Sequence, residues 1–181
     1  LLGIILGLMM CFDLGGPVNK AAYLFGTAGL SAGDEASLKI MAAVMAAGMV
    51  PPIALSIATL VRPRVFTPAE QENGKSAWLL GLSFVSEGAI PFAAADPLRV
   101  IPSMMAGGAV TGALSMLFGA GSRAPHGGVF VLFAIEPKIG WLIAIIAGVI
   151  VSATAVVLLK TVWPQKIVEK QVEAAKADAK A

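Results

Sequence analysis

Charged side chains are scarce in this 181-residue sequence: only 13% of the residues are Asp, Glu, Lys or Arg, whereas 57% are apolar. In soluble globular chains roughly a quarter of the residues are charged, so this chain has too little polar surface to cover itself in water. The same scarcity excludes an intrinsically disordered chain and a basic nucleic-acid-binding protein. Together with a mean hydropathy of +0.85, it predicts an integral membrane protein.

Cysteine and histidine are each present only once. A single cysteine, Cys11, permits no internal disulfide and no CxxC metal or redox pair, so we expect it to be a small buried apolar residue. The single histidine, His126, has no second histidine and no cysteine near it in sequence, which argues against a metal site. We therefore expect neither a metal nor another cofactor.

The net charge is concentrated at the C-terminus. The last 22 residues, 160–181, hold five basic and three acidic side chains, and the rest of the chain holds eight of each. We therefore predict a neutral membrane-embedded body, residues 1–160, followed by a polar helical tail in the cytoplasm, residues 161–181. The chain has no initiator Met and begins inside an apolar run that is too short to cross a bilayer. We interpret it as the C-terminal part of a longer polypeptide.

Three uncharged runs are long enough to cross the hydrocarbon core, which takes about 20 helical residues. They cover residues 40–61, 100–122 and 139–159. We predict a transmembrane helix in each, with a fourth ending near residue 12. Gly107, Gly108 and Gly112 put small residues on one face of the second run, where another helix can approach closely.

Three shorter segments are interrupted by glycine, proline and charge: residues 13–33, 77–95 and 124–135. Such broken segments in a transporter-like chain indicate a substrate site. The loop 62–76 and the tail are rich in Lys and Arg, which predicts that both lie in the cytoplasm. With two full spans between them, residues 77–95 are predicted to form a re-entrant hairpin. That parity fails if residues 124–135 also span.

Ionisable residues inside a membrane protein are costly and are functional candidates by default. The broken segments supply carboxylates (Asp13 and Glu87), an amide (Asn19) and an imidazole (His126). A sugar is a ring of hydroxyl groups that each donate and accept hydrogen bonds, so these groups suit a sugar site. Asp96 and Arg99 are expected to form a salt bridge at the foot of the hairpin instead.

Three motifs carry a family resemblance: FDLGGPVNKAA from Phe12, SEGAIPFA from Ser86, and APHGG from Ala124. In this order they resemble the fructose-family enzyme IIC of the bacterial phosphoenolpyruvate-dependent sugar phosphotransferase system (PTS). The resemblance covers roughly residues 1–160 and corresponds to the C-terminal half of the IIC part.

That resemblance implies an all-α integral membrane protein of the sugar-permease type, with transmembrane helices and re-entrant hairpins. It implies a multi-pass protein of the bacterial inner membrane that binds fructose or a related hexose and carries it across, works as a homodimer, and contacts lipid but no nucleic acid. Cytoplasmic IIA and IIB domains are the implied partners, and a phosphocysteine on IIB phosphorylates the sugar. The chain would then be the membrane component of a phosphotransferase whose phosphoryl-carrying residue lies on another domain.

The resemblance also implies roles for individual residues. Glu87 matches the family's sugar-binding glutamate, which we also consider as the base for phosphoryl transfer, and Ser86 precedes it in the same motif. Asp13, Asn19 and His126 match polar positions of the other two motifs, so all five are candidate substrate-binding residues.

Other interpretations stay open for these residues. Asp13 could cap a helix N-terminus, Glu87 could cap a broken helix, and His126 could make only structural hydrogen bonds. Lys20 is expected to extend towards the membrane interface rather than to bind a ligand. At the level of function, the alternatives are an ion- or proton-coupled secondary transporter that uses Glu87 as its coupling group, and a membrane anchor without transport activity.

Overall fold

The structure, a computed structural model that describes residues 1–179, consists of α-helices joined by short 3₁₀ turns and one small β-ribbon. The last two residues of the predicted tail, 180 and 181, lie outside the described residues. The helices are Leu2–Phe12 (α1), Pro17–Leu30 (α2), Glu35–Val61 (α3), Pro68–Leu82 (α4), Ile90–Ala95 (α5), Pro97–Leu117 (α6), Lys138–Val162 (α7) and Lys166–Asp178 (α8). The 3₁₀ turns are Pro63–Val65, Ser86–Ala89 and Gly128–Ala134, and the strands are Gly121–Ser122 (β1) and Ile135–Glu136 (β2).

Within residues 1–179, three helices are long and apolar enough to cross a membrane: α3, α6 and α7. α3 and α7 contain the predicted runs 40–61 and 139–159, and α6 covers residues 100–117 of the run 100–122. The prediction of three long apolar helices is therefore confirmed. α3 begins earlier than its run because the Asp34 side chain caps it, accepting a hydrogen bond from the backbone N–H of Ser37. α6 ends earlier than predicted, at Leu117, and Gly119 then takes a positive φ of 68° that an α-helix cannot include.

Small residues let α1, α6 and α7 pack closely, as the glycines of the second run predicted. A Cβ on Gly7 of α1 would collide with the backbone carbonyl of Gly108 in α6. On the other side of α6, a Cβ on Gly107 would collide with Ser152 of α7. Since lipid is as apolar as a protein core, such close backbone contact is what holds membrane helices together.

α3 is the central helix and is almost wholly buried between residues 41 and 59. It continues through Pro51 and Pro52 to Val61. Pro51 has no N–H to give to the carbonyl oxygen of Ala47, four residues earlier. The Cys11 thiol of α1 points at that oxygen with a separation of 3.5 Å. Cys11 is fully buried, as predicted.

The first hairpin, α1 and α2, turns near the middle of α3. α1 runs antiparallel to α6, because Gly3 packs on Gly112 and Gly7 on Gly108. α2 then returns along the N-terminal half of α3, and Gly29 reaches Ser37. The turn, residues 13–16, is called the first tip.

The second hairpin, α4 and α5, approaches the same level from the opposite end of α3. Gly74 of α4 packs on Thr59, and Gly81, further along α4, packs on Ile53. The chain then turns at residues 83–89, the second tip, and α5 leads back to Asp96. Asp96 and Glu70 are both held by Lys160 of α7, so the hairpin begins and ends at the same end of the bundle.

The segment 123–134 also leaves and returns at one place. β1 pairs with β2 in antiparallel register, Gly121 opposite Glu136 and Ser122 opposite Ile135. The two ends of the segment are therefore adjacent, so it does not cross the bundle. We call it the histidine loop because it carries His126.

Candidate functional site

The two tips and the histidine loop enclose a cavity of about 200 Å³ beside the middle of α3. It is lined by Gly15, Asn19, Lys20, Tyr23, Phe84, Ser86, Glu87 and His126. Four of the five predicted site residues therefore face one cavity, although they come from three separate parts of the chain. The fifth, Asp13, lies beside it.

Glu87 stands at the second tip with its side chain against Gly15 of the first tip, since a Cβ on Gly15 would touch the Glu87 side chain. The sequence suggested a buried acid, but Glu87 is exposed. Its carboxylate has no hydrogen-bond or ion-pair partner among the described side chains, whereas other carboxylates of the bundle, such as Glu70 and Asp96, are paired. A free carboxylate at a cavity wall can accept two hydrogen bonds from a ligand.

Ser86 is buried, and its hydroxyl donates to the carbonyl oxygen of Gly48 at 2.8 Å. Pro52, four residues after Gly48, cannot supply the helical N–H for that oxygen. The hydroxyl therefore fastens the second tip to the middle of α3. With its proton engaged there, Ser86 can offer a ligand only acceptor capacity.

Asp13 takes the helix-capping position that was left open as an alternative. Its Oδ2 accepts from the Val18 N–H at 2.7 Å and its Oδ1 from the Asn19 N–H at 2.9 Å, so both oxygens hold the N-terminus of α2. The Asn19 side chain in turn donates to the Met10 carbonyl oxygen, which α1 leaves free at its C-terminus, at 2.6 Å. These bonds fix the first tip and the orientation of Asn19.

Three aromatic rings form one wall of the cavity. The His126 ring centroid lies 5.0 Å from that of Phe84 and 6.4 Å from that of Tyr23, and Tyr23 lies 6.1 Å from Phe84. Neither the imidazole of His126 nor the Tyr23 hydroxyl makes a hydrogen bond to another residue of the described chain. The wall thus combines apolar ring faces with two unpaired polar groups, which suits a ligand with both hydroxyls and C–H faces.

Lys20 also lines the cavity and is exposed there, with no ion pair to any described residue. The sequence predicted that Lys20 extends towards the membrane interface rather than to a ligand, and in the structure it lies at the wall of this cavity. Sequence reasoning also passed over Tyr23 and Phe84, although Tyr23 is the only tyrosine of the chain. The signal was the helical spacing: Asn19, Lys20 and Tyr23 lie within four residues of α2, on adjoining faces of one turn.

Backbone conformations that L-residues seldom adopt gather around the cavity. Leu14 and Phe84 have φ of 48° and 64°, and Gly15, Gly127 and Gly128 have φ of 107°, 121° and 58°. A Cβ on Gly128 would also collide with the carbonyl of Leu82, so the histidine loop rests directly on the second tip. Such strain costs about 1–3 kcal/mol for each non-glycine residue and concentrates at functional sites.

No group of three or more His, Cys, Asp or Glu side chains that could hold a metal ion occurs among the described residues. The polar groups of the cavity include a carboxylate, which accepts hydrogen bonds, an amine, which donates them, and an amide, a phenol and an imidazole, which can do both. Such a set has the chemistry to bind a neutral polyhydroxy ligand by hydrogen bonds.

Comparison with known proteins was made by sequence and by structure. Over 163 residues, 88% of its length, the chain is 59% identical to the "PTS system fructose-specific EIIB'BC component" of Escherichia coli, of which it covers 28%. It is 48% identical over 167 residues to the "PTS system fructose-specific EIIC component" of Haloferax volcanii, of which it covers 44%. It is also 48% identical over 160 residues to the "Fructose permease IIC component" of Bacillus amyloliquefaciens, of which it covers 51%.

The chain thus spans between about a quarter and about half of the length of these relatives. No family model matches the chain. No solved structure matches it either.

Proposed function

Since the chain belongs with the fructose-family enzyme IIC proteins of the PTS, as its motifs predicted and its relatives confirm, we propose that it forms the part of a sugar permease that holds the sugar. The sugar is fructose or a related hexose, the substrate class in the names of those relatives. The observation that carries this proposal is the unpaired Glu87 carboxylate in a cavity where two broken hairpins meet beside the middle of α3.

In this proposal Glu87 accepts hydrogen bonds from two neighbouring sugar hydroxyls. Lys20, Tyr23 and His126, which have no partners among the described residues, supply further donors. The aromatic wall packs against the C–H face of the sugar ring. Asp13 acts as a positioning residue, because its carboxylate is taken up by the N-terminus of α2.

Transport is coupled to phosphorylation in this scheme. Relatives of the chain are named as fusions of EIIC with EIIB, and in Bacillus subtilis with EIIA and EIIB. A sugar hydroxyl oxygen attacks the phosphorus of the IIB phosphocysteine, the S–P bond breaks and the thiolate leaves. Glu87 takes the hydroxyl proton as general base, a role that contributes typically 10²–10⁴-fold in rate.

The membrane arrangement follows from the basic loop and tail. α3, α6 and α7 cross the bacterial inner membrane, and the end of the bundle that carries Arg62, Arg64 and α8 faces the cytoplasm. The second hairpin is then re-entrant from the cytoplasmic side and the first from the outer side. Broken segments that meet at mid-depth from opposite sides are typical of transporter substrate sites. A homodimer completes the proposal.

The test is sugar uptake and phosphorylation in right-side-out membrane vesicles that contain the protein and enclose its soluble PTS partners. We expect labelled fructose to appear inside only as its phosphate, and only when phosphoenolpyruvate is present. Collapsing the proton gradient with an uncoupler should leave that uptake unchanged.

The second candidate function, a proton-coupled transporter that uses Glu87, predicts the reverse. It would give free sugar inside the vesicle and loss of uptake with the uncoupler. Uptake that needs no phosphoenolpyruvate and is unchanged by substitution of Glu87 would have to come from another protein. That result would contradict both transport proposals and favour a membrane anchor.

A further inference from the structure

Four buried charged residues meet at the end of the bundle that carries the loop after α3. They are Glu70, Asp96, Arg99 and Lys160. The Lys160 ammonium lies 3.2 Å from Glu70 Oε1 and 3.2 Å from Asp96 Oδ2, and the Arg99 Nη1 donates to Asp96 Oδ1 at 3.0 Å. The ion pair predicted between Asp96 and Arg99 is therefore present. Two cations and two anions make this cluster neutral.

Arg99 keeps a donor that the cluster does not use. Its Nε is buried and has no hydrogen-bond partner in the part of the chain whose side chains the structure describes. The guanidinium lies against the Trp163 ring, 4.9 Å from its centroid, which restricts where it can point. Buried donors in folded proteins are nearly always paired, so an unpaired one beside a cavity indicates an acceptor from outside the chain.

A cavity of about 190 Å³ adjoins this donor. The charged side chains that line it are Arg64, Arg99, Lys160 and Asp96. Since Glu70 also pairs with Lys160, the buried cluster is neutral and Arg64 adds one positive charge to the cavity. Arg64 is exposed at the 3₁₀ turn Pro63–Val65 and pairs with no described carboxylate. The cavity therefore combines free guanidinium donors with uncompensated positive charge.

We propose that this cavity binds a phosphate group, held by Arg99 and Arg64. Guanidinium groups match the oxygens of phosphate in a fixed fork geometry, and a phosphate anion compensates the positive charge of Arg64. A neutral sugar would leave that charge uncompensated, so this cavity has a different ligand class from the cavity at Glu87. The inference deepens the proposed function, because the product of that function is a sugar phosphate. Only this identification of the ligand with the product rests on the proposed function; the phosphate site does not.

The shared chemistry, a phosphate group, has two sources at this place: a soluble phosphate ester or a lipid headgroup. Binding of radiolabelled inorganic phosphate to the detergent-solubilised protein is the primary measurement, made without sugar. Arg64→Gln should weaken binding about five- to tenfold, because an exposed charge loses one contact. Arg62→Gln is the matched control, since Arg62 is an exposed arginine two positions away that does not line the cavity.

Arg99→Lys keeps the charge but removes the guanidinium fork, and should weaken phosphate binding at least tenfold. Thermal unfolding checks whether Arg99→Lys is folded. If Arg99→Lys is unstable, Arg64→Gln alone tests the proposal. Absence of saturable phosphate binding by the wild type, or equal effects of Arg64→Gln and Arg62→Gln, would overturn the proposal. Sugar binding by the same samples reports separately on the cavity at Glu87, so the two proposals can fail independently.

Competition distinguishes the sources. The competitor is a hexose phosphate, tested in phosphatidylcholine nanodiscs with and without phosphatidic acid. If it displaces inorganic phosphate equally well in both, the result supports a soluble ligand. Loss of phosphate binding only in nanodiscs with phosphatidic acid supports a lipid headgroup in the same cavity. Either result supports the site if phosphate binding is weaker in Arg64→Gln than in the wild type and unchanged in Arg62→Gln.

Discussion

The hydroxyl of Ser86 donates a hydrogen bond to the carbonyl oxygen of Gly48, at 2.8 Å, in place of the backbone N–H that Pro52 lacks. The serine at the second tip thus supplies the donor that Pro52, in the middle of the central helix, cannot give to the Gly48 oxygen. The bond places the residue before Glu87 at the middle of α3.

Ser86→Ala removes this donor and leaves the Gly48 oxygen buried without a partner. An unsatisfied buried group costs about 1–3 kcal/mol, so the variant should unfold at a lower temperature and bind sugar more weakly. Ser83→Ala is the control, because the Ser83 hydroxyl bonds to its own helix at an exposed place. Thermal unfolding in detergent and sugar binding measure both effects. Equal stability of the two variants would contradict the role assigned to Ser86.

Glu87→Gln should weaken sugar binding about ten- to a hundredfold. Gln offers one acceptor and puts a donor where the second should be, and a hydrogen bond to a charged group is worth roughly 1.5–3 kcal/mol. The fold should be unchanged, because the Glu87 carboxylate makes no hydrogen bond within the described chain. Phosphorylation at saturating sugar should fall further if Glu87 is the base. Glu72→Gln, an exposed glutamate of α4, is the control, and wild-type binding by Glu87→Gln would exclude the site.

Asp13→Ala should lower both stability and sugar binding, although Asp13 does not line the cavity. Loss of a helix cap costs about 0.5–2 kcal/mol, and here it also frees Asn19 and the first tip. Asp34→Ala removes the cap of α3 at the end of the bundle opposite Lys160. It should therefore lower stability by a similar amount and leave sugar binding unchanged. A purely structural role for Asp13 would make the two variants behave alike in both assays.

Lys160→Met should destabilise the protein severely, by about 3–5 kcal/mol, because it leaves two buried carboxylates without their shared cation. Lys166→Met, at the exposed start of α8, should change stability little. The free energy of unfolding, from a denaturant titration in detergent micelles, is the measurement. A small effect of Lys160→Met would show that water reaches Glu70 and Asp96.

The proposed topology predicts which cysteines are labelled from which side. A cysteine at Glu72 and one at Lys170 should react with a membrane-impermeant maleimide in inverted vesicles, and one at Ser31 should react in right-side-out vesicles. Cys11 is fully buried and should stay unlabelled. Labelling of positions 72 and 170 from opposite faces would overturn the assignment of the loop and the tail.

Composition and run length were enough to predict the three long helices, because a bilayer imposes one simple requirement on any span. The ends of those helices were less predictable. α6 ends at Leu117 through the positive φ of Gly119, which no hydropathy pattern contains. The β-ribbon that closes the histidine loop has two residues per strand, too few for an alternating pattern.

The motifs predicted the residues of the cavity but not the bonds that each one makes. Asp13 and Glu87 each stand four residues before a proline, a similarity that the sequence alone could not interpret. In the structure the Asp13 carboxylate caps the N-terminus of α2, whereas the Glu87 carboxylate makes no hydrogen bond to a described residue. The pairing of Lys160 with Glu70 joins positions 90 apart in sequence, and only the folded hairpin brings them together.

Gly15 of the first tip and Gly128 of the histidine loop belong to a part of the cavity that tolerates little sequence change, whereas other lining positions are freer to change. At Gly15 and Gly128 both the backbone angle and the neighbouring atoms forbid a side chain, so mutational scanning should find these positions closed to replacement. Lys20, Tyr23 and His126 stand on that frame without hydrogen bonds to it. Selection for a new sugar can therefore replace these three side chains one at a time, because the backbone of the tips and the histidine loop does not depend on their hydrogen bonds.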